Sequence, residues 1–154
     1  MFKKVHLVGI SLILLSISPV NARVTQLEIT EIITVAGGKQ FGDIGAYEKV
    51  SGIAYFELSP DHKRNKIITD IGRTSTNANG NVEFNAEFEI LRPVNPSNAS
   101  GTLFVEAPSQ GEKLSLGLLH DIDETIDLNF IDENTELGNG FLFERGHTIA
   151  WIAW

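Results

Sequence analysis

Apolar and polar residues alternate most cleanly from Val82 to Leu91. Val82, Phe84, Ala86, Phe88 and Ile90 fall on one face, and Glu83, Asn85, Glu87 and Glu89 on the other. Period two predicts a strand with one face buried. Arg23 to Ala36 carries Val24, Leu27, Ile29, Ile32, Ile33 and Val35 among threonines, which predicts a strand with a bulge near Glu31. Lys49 to Ser59 predicts a second strand whose register Gly52 softens, Lys66 to Ile71 a short third one, and Gly101 to Ala107 a further short apolar one. Thr148 to Trp154 is almost wholly apolar, β-branched or aromatic. That pattern suits a strand buried on both faces, as in a parallel sheet. Before it, residues 138–145 predict a short helix with Glu144 and Arg145 facing water, and Gly146 supplies the turn into the strand. The pattern at Lys113 to Leu119 fits a strand or the start of a helix equally.

Between these runs lie turn signals: Gly37-Gly38, Pro60 to Asn65, Asn79-Gly80, Pro93 to Ser100 and Pro108 to Gly111. Phe41 to Glu48 is a loop with two glycines and two aromatic anchors, Phe41 and Tyr47. His120 to Glu136 is polar and acidic and predicts an excursion over the surface. The expected organisation is an antiparallel β region over 24–91. A strand, a long connection with a short helix, and a last strand follow over 102–154, a unit suited to a right-handed βαβ crossover. The fold class is α/β. The sequence ends on two tryptophans in a core strand, so the expectation is an incomplete α/β domain, the opening part of something larger.

The amino terminus changes the picture. Met1-Phe2-Lys3-Lys4 is followed by an apolar run from Val5 to Ile17 and by Val20 and Ala22 as small residues before a cleavage point. This is the pattern of a secretory signal peptide over residues 1–22, too short in its apolar part for a membrane span. The expected location is secreted or periplasmic, with no membrane span after signal cleavage. The 154 residues hold 12 basic and 20 acidic side chains, net −8. Removing residues 1–22 takes Lys3 and Lys4 away and leaves net −10. An acidic chain with no basic stripe repels nucleic acid. There are no cysteines, so disulfides and thiolate chemistry are excluded and stability rests on core burial.

Candidate chemistry is sparse. A serine hydrolase elbow needs small residues two before and two after the serine. The nearest approach is Lys113-Leu114-Ser115-Leu116-Gly117, with Lys at the first of these positions. Among the histidines, His62 sits in a turn, His147 precedes the last strand and His6 lies in the signal segment, at spacings unlike those of metal sites. His120, Asp121, Asp123, Glu124, Asp127 and Asp132 gather oxygen ligands in one loop. Ile126 stands where a calcium loop of the EF-hand type needs Gly, and Asp132 where it needs Glu, so the loop reads as a solvated acidic surface. No cofactor or metal is expected. Asn98-Ala99-Ser100 is a glycosylation sequon by pattern.

Phe41-Gly42-Asp43, Gly45, Tyr47-Glu48, Gly52 and Ala54-Tyr55-Phe56 resemble the amino-terminal signature of exported alpha/beta hydrolase domain-containing proteins. Val82-Glu83-Phe84 with Phe88, Leu91-Arg92-Pro93, Gly101-Thr102-Leu103, Gly138 to Leu142 and Arg145-Gly146 continue the resemblance in the same order. The resemblance implies the start of an α/β-hydrolase sheet, with Gly101–Ala107 leading into an oxyanion loop at Pro108–Gly111. Residues 138–145 would be the first sheet-packing helix and 148–154 the next strand. The backbone of Ser109, Gln110 and Gly111 would then donate to an oxyanion, although the family tends to carry Asn-Arg-Gly there and Pro108 has no N–H to give. It also implies a small-molecule ester or acyl substrate for the complete protein, whose Ser, acid and His come later in the chain. The chain by itself is expected to be non-catalytic. The alternative expectation is a stand-alone exported β-rich binding module.

Overall fold

The computed structural model describes residues 22–108 and 112–152. The expected signal segment up to residue 21, the oxyanion-loop residues Ser109, Gln110 and Gly111, and Trp154 lie outside the described residues. The chain forms one mixed five-stranded sheet with little helix. Its strands are β1 (Ala22–Thr34), β2 (Tyr47–Leu58), β3 (Val82–Pro93), β4 (Leu103–Glu106) and β5 (Thr148–Ile152), in the order β1-β2-β3-β5-β4. The first three form an antiparallel meander. β5 pairs antiparallel with β3 and parallel with β4. One short helix, α1 (Ser115–His120), lies on the connection between β4 and β5.

The β1–β2 register slips between Val24 and Gln26 and again between Ile29 and Glu31, the second at the expected bulge. Thr148 to Ile152 is a strand buried on both faces at Ile149, Ala150 and Trp151, as its composition predicts. Two expectations are corrected. Lys66 to Ile71 is not a strand. It is a series of turns, with Asp70 in the left-handed region and Ile67 87% exposed. β2 already lies between β1 and β3, and β3 between β2 and β5, so the segment joining β2 to β3 has no free strand edge beside it. Residues 138–145 form turns and a single 3-10 turn at Phe143–Arg145 rather than a helix. Gly138 and Gly140 both hold positive φ there, which breaks helical propagation.

Each sheet face has a distinct character, because residues paired across strands share a face. On the first face, Tyr47, Leu91, Ile149 and Trp151 pack with Val35, Phe41, Leu116, Ile131, Leu137, Leu142 and Phe143 from the loops. The polar segment 112–147 is thus drawn over this face, and its scattered apolar residues become core. On the second face, Val50, Ala54 and Phe88 form a smaller cluster flanked by Phe56 and Ile90. Around it Val24, Leu27, Ile29, Ile32, Phe84, Leu103, Val105 and Ile152 are exposed.

Gly52 on β2 pairs with Ile29 of β1, beside the slip in register. A Cβ there would stand 2.2 Å from the backbone oxygen of Glu28 and 2.7 Å from the Phe88 ring, which lies over the glycine. Gly52→Ala is expected to destabilise the fold by about 2 kcal/mol, in the range of overpacked cores. Urea unfolding followed by far-UV circular dichroism measures it as a lowered midpoint at unchanged slope.

Candidate functional site

Glu31, Ser51, Glu89, Trp151 and Glu106 stand side by side in one register row across β1, β2, β3, β5 and β4, on the first face. Two lysines thread this row. The Lys49 ammonium donates to the Ile131 carbonyl at 2.6 Å and lies 3.3 Å from Glu31 and 3.8 Å from Glu89. Lys113 pairs with Glu89 and sits over the Trp151 ring, 5.2 Å from its centroid. The result is a continuous line of alternating charge that ends at the carboxyl ends of the parallel strands β4 and β5. Open α/β sheets bind ligands at that end of their strands.

Glu106 closes the line. Its carboxylate accepts from the Trp151 indole at 2.7 Å, the Ser115 hydroxyl at 2.5 Å, and the backbone N–H groups of Leu114 and Ser115 at 3.0 and 3.2 Å. Burial raises its pKa, but these four donors outweigh burial and hold it below the ordinary carboxylate value. Two of the four are N–H groups at the start of α1, so Glu106 caps the helix from a neighbouring strand. The same bonds fix the ends of the connection that contains residues 109–111. A recess of about 190 Å³ adjoins, lined by Glu87, Glu89, Pro108, Lys113, Asn129 and Trp151. It is smaller than the usual small-molecule pocket.

Ser115, the nearest approach to an elbow serine, is buried at the first position of α1, and its proton goes to Glu106. No histidine reaches it among the described residues. His147 instead meets Ser100, Nδ1 to Oγ at 2.8 Å, at the amino end of β5. No carboxylate orients that imidazole among the described residues, so the pair lacks the third member of a triad.

His120 is a core residue. It is fully buried, edge-on to Phe143 at 4.4 Å, with Nδ1 3.1 Å from the Leu137 carbonyl, while Nε2 accepts from the Leu142 N–H at 3.1 Å. Those partners assign the proton to Nδ1 and make the ring neutral. Burial lowers its pKa against the opposing pull of the Leu137 carbonyl. The acidic residues around it are used in turns. Asp123 holds Thr125, Asp127 holds the Asn129 N–H, and Asp132 holds Asn134 and Thr135. Among the described residues no group of three or more His, Asp or Glu is placed to hold a metal ion. In the sequon, the Asn98 amide donates to the carbonyls of Asp43 and Ile44, which ties it to the 41–45 loop.

Sequence reasoning missed Glu106, Lys49 and Lys113. The available signal was positional. Each charged side chain falls on the face that the buried residues of its own or a neighbouring element share, and Glu106 interrupts an otherwise apolar run just before Pro108. No protein-family model, curated protein or solved structure matches this chain. Among the described residues no helix is long and apolar enough to cross a membrane.

Glu106→Gln is expected to lower stability by about 2 kcal/mol, because the four donors lose their charged acceptor. Chemical denaturation checks this, and the Trp151 fluorescence change should report the loosened indole. The pH dependence separates His120 from Glu106. The folded-state pKa of His120 is depressed, so the stability it contributes is complete above its ordinary value of 6.5 and is lost as pH falls through the folded value. Glu106 is also depressed, and its contribution is lost only below its ordinary value of 4.5. His120→Gln should therefore flatten the stability curve as pH falls below the ordinary value of 6.5, read by unfolding midpoints on either side of it.

Proposed function

We propose that this chain is the non-catalytic amino-terminal portion of a secreted serine ester or acyl hydrolase of the α/β-hydrolase fold, and that it builds the start of the sheet rather than performing the chemistry. The observation that carries this reading is the change of strand direction. An antiparallel meander is followed by a parallel pair, with β5 inserted between β3 and β4. An α/β-hydrolase sheet turns parallel in the same way at its first crossover. The connection that leaves β4 at Glu106 stands where such enzymes place an oxyanion donor, in the loop after the crossing strand. In that setting the backbone of Ser109, Gln110 and Gly111 would serve an oxyanion, and the Glu106 latch would position the loop by gripping both Trp151 and the start of α1. The nucleophile, its base and the acid would come from residues that follow in the complete protein, acting on a small-molecule ester or acyl substrate. Export to the periplasm or beyond follows from the signal pattern of residues 1–22.

A second reading, a stand-alone exported β-rich binding module, is favoured by the exposed apolar face of the sheet.

The purified chain is expected to hydrolyse p-nitrophenyl acetate no faster than buffer. Turnover that follows the protein through purification and disappears in Ser115→Ala would place the chemistry within the chain and end the proposal. Mass spectrometry of the product captured from its host adds the complementary test. A species well above 16.9 kDa supports the hydrolase portion, and one that matches residues 23–154 alone supports the module.

A further inference from the structure

The second face of the sheet is largely apolar across all five strands. Residues paired across the strands carry it through every strand: Leu27 with Ala54 and Ala86, Ile32 with Val50, Ile90 and Ala150, and Leu103 and Val105 on β4. The only charged side chains on this face of the five strands are Glu48 and Arg92, and they neutralise each other at 2.8 Å. The rest of the sheet's charge, Glu28, Glu31, Glu57, Glu83, Glu87, Glu89 and Glu106 with Arg23 and Lys49, lies on the opposite face. A chain of net −8 therefore has one large surface of zero net charge.

We infer that this face is the interface of a homodimer, in which two copies pack sheet against sheet. Three features select a second copy. The first is area. The exposed fractions of the eight apolar side chains on this face amount to about 700 Å² per copy, close to the roughly 800 Å² that each partner gives to a standard interface. The second is charge. Two acidic chains meet with the least like-charge repulsion through a neutral surface, and the net charge turns the chain away from anionic lipid. The third is shape and rigidity. Phe88 lies over Gly52 and Phe56 stacks on Phe84 at 5.0 Å, so the centre of the face is filled. Much of its exposed margin is Val and Ile, whose stiff side chains lose little freedom on burial. A twofold axis through the face brings the same patch to both copies, with the two sheets about 10 Å apart as in a β-sandwich. The inference goes beyond the second functional reading and rests on it, since an α/β-hydrolase sheet has both faces covered by helices. A product well above 16.9 kDa in the host would remove that basis, whereas a monomer that matches residues 23–154 would overturn the dimer alone.

Sedimentation velocity and equilibrium on residues 23–154, the chain left by the expected signal cleavage, test it. A species of twice the mass of that chain is expected, dissociating at about micromolar concentration or below. Leu27→Glu should raise the dissociation constant at least tenfold with an unchanged far-UV spectrum, since Leu27 is 62% exposed in the single copy. Ile67→Glu, in the loop after β2, should leave it unchanged. Ile29→Cys in this cysteine-free chain, carrying a nitroxide, should show dipolar coupling between copies, and it preserves the fold if Leu27→Glu does not. A monomer at about 100 µM overturns the inference. So do a dimer that Leu27→Glu leaves intact, a labelled sample without coupling, and a monomer that instead binds phosphatidylcholine vesicles.

Discussion

A long segment with almost no helix or strand is buried against one face of this sheet, and its backbone polar groups must find partners there. The fold depends on how that requirement is met. Three core side chains meet much of it, beside Glu106 at the start of α1. The Tyr47 hydroxyl bridges the carbonyls of Phe143 and His147, at 3.2 and 2.9 Å. His120 takes the Leu137 carbonyl and the Leu142 N–H, and Lys49 takes the Ile131 carbonyl. Each also fills volume in the core, so packing and polar satisfaction come from the same residues. Burial pushes the Tyr47 phenol up to about 12, so it stays a donor throughout the physiological range. Phe143 lies at the meeting point, in ring contact with Phe41, Tyr47 and His120.

That docking of 112–147 has a second effect. It partly covers the row of charged residues that the strand register sets side by side, where pairing offsets their loss of water. Glu31, Lys49, Glu89 and Lys113 alternate in sign, and Glu106 is held by hydrogen-bond donors at the far end. Removing one member would leave its neighbour under-compensated, so the row behaves as a unit rather than as separate pairs. Ser51 Oγ is the exception within it, buried with no hydrogen-bond partner. The row joins the core to the start of α1 through Glu106.

The strands that could be read from sequence were those whose local pattern and tertiary setting agree. β2, β3 and β5 follow their alternation or continuous apolarity, and the bulge in β1 falls where the pattern of Val, Leu and Ile breaks step. Lys66 to Ile71 has strand composition but no free edge beside it, a property of the sheet order that no local window contains. In β3 the expected face carries Val82 and Phe88 inward, yet Phe84 is exposed while Leu91 and Pro93 on the other side are buried. The pattern shows that two faces differ but not which loops arrive on each. The candidate site was least legible. Ser115 was visible as a near-miss motif, but its partner Glu106 is nine residues away on another element, and His120, weighed as a ligand, is spent on the core.

The order of strands in the sheet differs from their order in the chain, and this constrains folding in time. β1, β2 and β3 pair with their sequence neighbours, so the meander can close as soon as Pro93 is available. β4 is made next but pairs with no strand of the meander. Among the described residues its strand partner is β5, more than forty residues further on. Until β5 slots in beside β3, β4 has an open edge on both sides and the half-built sheet offers β3 as a template to any passing strand. Strand order thus divides the sheet into local pairings that need only residues up to Pro93 and a non-local insertion that needs residues near 150, and the second carries the larger loop-closure cost.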